Sequence, residues 1–191
     1  MTWLSLAIVD KEEWAGLDSY KRHQAIWKVF PGQDGQARNY LFRLDDKGRE
    51  FRLYVLSPIR PSVPDWGRWQ TKKIAETFLD HDSYRFQLKA NPTMRRSEDG
   101  RRLGLFKEEL LQEWMIRKAD AHGFSIFEDS LAVGAPVEER FLRRGTLGKH
   151  TGIDFQGILK VINREAFKKA FTEGIGSAKA FGFGLLMLQP V

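Results

Sequence analysis

The residue in this sequence best suited to moving a proton is His23, in the run SYKRHQAIWKVFPG at residues 19–32. An imidazole titrates near neutral pH, so it can take or give up a proton there. Lys21, Arg22 and Lys28 surround it with positive charge of the kind a phosphate would meet, and Tyr20 places a hydroxyl one helical turn earlier. The other three histidines, His81, His122 and His150, are scattered, and no HExxH pattern occurs. There is no cysteine, which rules out disulfides, thiol nucleophiles and thiolate zinc sites. The only carboxylates with ligand-like spacing are Asp80 and Asp82 around His81, where a solvated turn is the plainer reading. On residue chemistry alone, an isolated histidine on an aromatic stripe is more often a core or boundary residue.

Two further groupings carry charge or backbone chemistry. Arg95, Arg96, Arg101 and Arg102 face only Glu98 and Asp99, a concentrated basic protrusion whose plain reading is a charge-protected edge strand. A second basic loop, RRGTLGKH, holds Arg143, Arg144, Lys149 and His150. The glycine-rich GIGSAKAFGFG brings Gly174, Gly176, Gly182 and Gly184 together with Ser177 and Lys179. It lacks the G-x-x-x-x-G-K-[ST] order and follows a helix instead of a strand, so it is no nucleotide loop. Its glycines can bring backbone N–H groups to a phosphate, or simply make a tight helix-to-strand connection. Lys and Arg outnumber Asp and Glu by 31 to 25, a net charge of +6, which favours a polyanionic partner.

These residues need elements to position them. TWLSLAIV reads as a first strand, too short for a membrane span and without a positive leader. Asp18 or Ser19 caps a helix on which Tyr20, His23, Trp27 and Phe30 share a stripe, and Pro31-Gly32 ends it. ARNYLFRL and REFRLYVLS form a hairpin around DDKG. A proline-rich loop follows, then TKKIAETF, whose pattern fits neither helix nor strand. SYRFQLKANP is an alternating strand at 83–92 that leads into the basic hairpin. KEELLQEWMIRKADAHG is the clearest helix, with Gly123 as its stop. FSIFEDSLAV and IDFQGILKVIN read as strands, Asn163 caps the helix REAFKKAFTEG, and LLMLQPV closes the chain as a strand.

The order strand, helix, two strands, helix, strand points to an α+β chain of two tandem ferredoxin-like (RRM-like, βαββαβ) domains, residues 1–82 and 83–191. A length of 191 residues and 42% apolar content can supply a core for each. The absence of cysteine suits a reducing, intracellular setting.

With both ends in view, SYKRHQAIWKVFP and GIGSAKAFGFGLLML together resemble the CasE family of CRISPR repeat-processing endoribonucleases, subunits of the prokaryotic Cascade complex. The matching positions are His23, Trp27 and Phe30-Pro31 at one end and Gly174, Gly176, Gly182 and Gly184 at the other. The resemblance implies a cytoplasmic enzyme that needs no metal or other cofactor. It would cut precursor CRISPR RNA at the base of the repeat hairpin and keep the guide RNA, alongside other Cascade subunits. It implies that His23 is catalytic as base or acid, that Tyr20 orients the imidazole or the phosphate, and that Lys28 steadies the phosphate. On an ideal helix Lys28 lies about 140° around from His23, so it must reach around or sit where the helix unwinds. RNA contacts are expected from Arg22, from Arg95, Arg96, Arg101 and Arg102, from Arg143, Arg144 and Lys149, and from the glycine-rich loop. A non-catalytic RNA-hairpin-binding subunit, or a basic assembly protein, would use the same basic surfaces.

Overall fold

The computed structural model describes residues 1–32, 39–143 and 146–191; of these, Ser19, residues 139–143 and residues 146–147 are described by their backbone. Strand β1 (Trp3–Asp10) leads into a short helix α1 (Lys11–Ala15) and then α2 (Ser19–Trp27). Asp18 caps α2 by accepting the Lys21 N–H at 2.8 Å, as its side-chain chemistry predicts. The helix is shorter than the sequence suggests. Lys28 is its C-cap, and Val29 and Phe30 continue as a tight turn through bonds to the carbonyls of Ile26 and Trp27.

Strands β2 (Leu41–Asp46) and β3 (Glu50–Ser57) form the expected hairpin, and β4 (Arg68–Lys73) completes a four-stranded antiparallel sheet of order β2-β3-β1-β4. This is the ferredoxin-like order with one departure: residues 58–67 run from β3 to β4 without a helix. Pro58, Pro61 and Pro64 explain it, since each lacks an N–H and clashes with a preceding helical turn. Aromatic packing covers the gap, with Trp66 ring centroids 5.0 Å from both Trp14 and Trp69. Ser62 ties the loop to α2 by donating its N–H and its hydroxyl to the Val29 carbonyl at 2.8 and 2.9 Å. The ambiguous TKKIAETF divides into the end of β4 and a 3-10 turn at Glu76–Leu79.

The second unit follows the full pattern. Strand β5 (Ser83–Ala90), helix α3 (Glu108–Ala121), strands β8 (Phe124–Ile126), β9 (Ala132–Val133) and β11 (Thr146–Val161), helix α4 (Arg164–Glu173) and strand β12 (Leu186–Pro190) put β5 between β11 and β12. Between β5 and α3 stands the basic hairpin, β6 (Thr93–Arg95) with β7 (Arg102–Gly104). FSIFEDSLAV is a broken edge instead of one strand. Ser130 sits at the break, where its hydroxyl donates to the Phe127 carbonyl at 2.6 Å and accepts the Ile158 N–H at 2.9 Å. The loop expected at RRGTLGKH is also different. Strand β10 (Val137–Arg143) pairs with residues 146–152 of β11, so Lys149 and His150 lie in a long hairpin rather than in a loop. That hairpin runs past the end of β5, whose last partner on β11 is Ile153.

Each sheet buries one face under its own helices, around Ile26, Phe30 and Leu53 in the first unit and around Phe86, Trp114 and Phe155 in the second. A third cluster joins the units: Leu41 and Leu56 of the first sheet pack on Phe171 and Leu185 of the second. Arg43, 7% exposed, bridges the same seam with ion pairs to Asp45 at 2.7 Å and to Asp154 at 2.9 Å. The linker is clamped by α4, since Arg164 donates to the carbonyls of Leu79 and His81 and pairs with Asp82, while Lys168 holds Asp80.

Two outcomes test this architecture. Gly174 adopts φ +78°, ψ 162°, where an added Cβ would lie 2.8 Å from Leu41 Cδ2 and 2.9 Å from the Gly184 carbonyl oxygen. Gly174→Ala therefore lowers the urea midpoint by at least roughly 1–3 kcal/mol of stability from the backbone alone. Gly16→Ala, where nothing lies within 4 Å of the new methyl, loses far less. Tyr84 is fully buried, donates to the Phe78 carbonyl at 2.7 Å, and has its hydroxyl pushed above the ordinary value of 10.0 chiefly by burial. The unfolded chain then releases this proton first as pH rises, so the contribution is complete below pH 10 and is lost above it. The stability gap between wild type and Tyr84→Phe narrows in urea melts carried through that range.

Candidate active site and nucleic-acid surface

The stripe on α2 runs from solvent to core. Tyr20 is 58% exposed, His23 and Trp27 are half-buried, and Phe30 is buried. Tyr20 is thus no core residue, and its hydroxyl is available at the surface. His23 lies nearly parallel to two rings, with centroids 6.3 Å from Trp27 at 25° and 6.1 Å from Tyr40 at 27°. The Tyr40 hydroxyl donates to the His23 carbonyl at 3.5 Å, and Phe30 backs Tyr40 at 4.9 Å. Trp27 and Tyr40 also touch each other, centroids 5.8 Å apart, so the imidazole packs against an aromatic cluster, half-buried and with its Nε2 shielded from solvent. Tyr40 escaped the sequence reading because it precedes β2, 17 residues along the chain and on another element. Lys28 is exposed at the end of α2, but its backbone is still helical, φ −63° and ψ −16° with its N–H bonded to the Gln24 carbonyl, so it keeps its offset from His23 and must reach around.

Not every cation expected at the surface stays there. Arg22 donates Nη2 to the Trp14 carbonyl at 3.3 Å and lays its guanidinium 5.5 Å over the Phe51 ring, so it is drawn onto the first sheet. It lines a cavity of about 200 Å³ shared with Asp46, Lys89 and Phe181. Lys179 donates Nζ to the Glu173 carbonyl at 2.6 Å, capping the end of α4. Lys149 is exposed and pairs with Glu138 at 3.1 Å. The Arg143 side chain and the whole of Arg144 lie outside the described residues.

The glycine-rich loop divides by burial. Gly174, Gly182 and Gly184 are buried, and their missing side chains admit neighbouring protein instead of an exposed ligand. A Cβ on Gly182, at φ +89°, would lie 2.9 Å from Phe42 Cε2. Gly176, Ser177 and Lys179 remain half-buried at the surface. The loop is set beside the histidine helix, since its 3-10 turn Lys179–Phe181 packs on α2, as does β10.

In the basic hairpin one carboxylate serves two arginines. Asp99 accepts Arg96 Nη2 at 2.6 Å, stands 3.4 Å from Arg101 Nε, and is held below the usual carboxylate range first by Arg96 and then by the Arg101 N–H. Arg95 and Arg102 are direct cross-strand partners, and neither has an ion pair among the described residues. Two like charges directly opposite each other repel. Asp80 and Asp82 are engaged by α4, and among the described residues no group of three or more His, Asp or Glu side chains could hold a metal ion.

The model of the family described as CRISPR associated protein matches residues 2–190. This chain belongs to that family. The Cascade subunit CasE of Escherichia coli (strain K12) is 28% identical over 91% of this chain and 93% of its own length. The CRISPR-associated endoribonuclease Cse3 of Thermus thermophilus is 28% identical over 76% of this chain and 82% of its own. In a structure of the Thermus thermophilus Cse3 bound to an RNA representing a pre-cleavage complex, the fold superposes with a TM-score of 0.86 at 22% identity, covering 99% of each chain. Two ferredoxin-like domains are thus the fold of this family member as well. No helix among the described residues is long and apolar enough to cross a membrane.

The cross-strand arginines give a test in the free protein. Replacing Arg102 by threonine removes the repulsion with Arg95 and is expected to raise stability in urea by about 0.2–1 kcal/mol at low salt. The gain shrinks as salt screens the pair.

Proposed function

We propose that this chain is a metal-independent endoribonuclease that cleaves precursor CRISPR RNA at the base of the repeat stem-loop and retains the mature guide RNA within a Cascade complex. Residues 1–82 carry the catalytic helix, and residues 83–191 carry the basic hairpin and the glycine-rich loop. The observation that carries the reading is the half-buried His23, packed against Trp27 and Tyr40 with Tyr20 and Lys28 exposed on the same short helix, in a chain whose family is CRISPR-associated. Its relatives named as a Cascade subunit and an endoribonuclease support the activity and the assembly, and their bacterial sources support a bacterial cytoplasm.

The chemistry asks little of the protein because the RNA brings its own nucleophile. The 2'-oxygen attacks the adjacent phosphorus as its proton leaves, the bond from phosphorus to the 5'-oxygen breaks, and that oxygen takes up a proton. The products are a 2',3'-cyclic phosphate and a 5'-hydroxyl. His23 serves in one of these transfers, removing the first proton or supplying the second. Tyr20 orients the imidazole or the phosphate, and the Lys28 ammonium offsets charge building on the phosphoryl oxygens. Arg95, Arg96, Arg101 and Arg102 hold the stem by its phosphates, as A-form geometry favours, with Lys149, Ser177 and the loop at Gly176 on the same surface.

Incubation of the purified chain with cognate repeat RNA in EDTA tests this. Wild type cuts, RNA carrying 2'-deoxy at the cleavage site stays intact, and His23→Ala slows cutting roughly 10²- to 10⁴-fold while still binding. Tight binding without cutting by the wild type would instead identify an RNA-hairpin-binding subunit. Binding should weaken steeply with salt, and removing one phosphate-contacting arginine should lower the log–log slope by about 0.7–0.9.

A further inference from the structure

The basic hairpin, the glycine-rich loop and the β10–β11 hairpin meet around a cavity of about 510 Å³ whose interior, beyond the phosphate contacts at its rim, has no role in the steps above. Its floor is polar and fixed. Asn91 and Thr151 are 7% and 8% exposed, Asn91 Oδ1 accepts the Thr151 N–H at 3.2 Å, and Asn91 Nδ2 lies 3.3 Å from His150 Nδ1. Ser177 closes the arrangement by donating its hydroxyl to the Asn91 carbonyl at 3.3 Å. One wall is Phe106, 59% exposed and the most exposed phenylalanine among the described residues. Its ring lies across Gly104, where an added Cβ would come within 3.3 Å of two ring carbons. Arg102 and Lys149 stand exposed at the lining, the latter in its pair with Glu138.

The backbone marks the same place. Ala178, which lines the cavity, is the only non-glycine residue among those described with a positive φ, 60°. Such a conformation costs free energy and persists where the surroundings impose it, commonly at ligand sites. An apolar ring left in water beside two cations and above a fixed set of donors and acceptors matches one ligand chemistry well. A nucleobase stacks its face on the ring, offers its edge to the polar floor, and brings its phosphate to the cations. Bases inside a duplex keep their faces stacked on each other, so the fit is to an unpaired nucleotide.

We propose that this cavity binds the base of one unpaired nucleotide in the single strand adjoining the hairpin stem, with Phe106 as stacking platform and Asn91, Thr151 and His150 facing the base edge. The inference rests on the RNA-processing function proposed above. Position supports it: Ser177 and Ala178 line the cavity, while the next three residues, Lys179–Phe181, pack on α2. A strand leaving the stem near His23 therefore reaches the cavity by crossing the glycine-rich loop.

The test compares two repeat RNAs, both blocked by 2'-deoxy at the cleavage site: a blunt stem-loop and the same stem-loop with single-stranded flanks. Wild type is expected to bind the flanked RNA roughly 5- to 100-fold more tightly, the gain of one stacked base. The ratio of the two affinities cancels any general loss in a variant. It falls towards one in Phe106→Ala and recovers in Phe106→Trp, and 5-iodouridine placed along the flank photocrosslinks to the peptide holding Phe106. A flank gain that survives Phe106→Ala, or equal affinity of wild type for both RNAs, would overturn the pocket and leave the RNA-processing function standing. No binding to either RNA would overturn that function, and the pocket with it.

Discussion

The close approach of the glycine-rich loop to strand β2 is the contact on which the rest of the molecule depends. At Gly174 and Gly182 the backbone lies so near Leu41 and Phe42 that a methyl group would collide, and both residues have φ values that L side chains rarely adopt. The loop is therefore wedged against the first sheet at the point where the second unit leaves α4. Leu41 and Leu56 pack there on Phe171 and Leu185, and the Arg43 guanidinium joins carboxylates from both units. The carboxylate of Asp154, the partner across the seam, is half exposed, so this ion pair adds little net stability while favouring the observed docking of the two sheets. The apolar contacts supply the attraction, and Arg43 fixes the register.

That docking brings together pieces far apart in sequence. It lays the turn Lys179–Phe181 on the helix that bears His23, and it pins Ser177 to Asn91 at the end of β5. The cations around the loop and the basic hairpin are of two kinds. Arg22, Arg43 and Lys179 are committed to carbonyls, rings and carboxylates of the protein itself. Arg95 and Arg102 face each other without acidic partners among the described residues. Charge that the fold does not neutralise leaves this part of the hairpin electropositive. A net charge of +6 cannot distinguish these cases.

His23 illustrates how much a local pattern conveys. Its helix is legible from Asp18 and the spacing of Tyr20, Trp27 and Phe30, and its partial burial follows from that stripe. Its second aromatic neighbour, Tyr40, comes from the residue just before the strand that the loop wedges in place. The sequence places the histidine on the helix, and the first sheet supplies the aromatic cluster it packs against.

Local chemistry in the chain settled the elements that depend on neighbours a few residues away. Asp18 and Asn163 cap their helices, the DDKG turn closes its hairpin, an apolar run marks β1 and alternation marks β5. The two-domain order could be read from the same signals, whereas His23 became a catalytic candidate only through the resemblance carried by both ends of the chain. Tertiary structure decided what depends on distant partners. The prolines at 58–67 replace a crossover helix because Trp66 can cover the sheet in its stead, Ser130 breaks an edge strand because it can repay the lost ladder bonds at Ile158, and β10 exists because β11 overshoots β5. The glycines show the division most plainly. Their positive φ is a local requirement that the residue type reveals, whereas the choice between phosphate and Leu41 as the neighbour filling the space belongs to packing across the seam, which no pattern within the loop encodes.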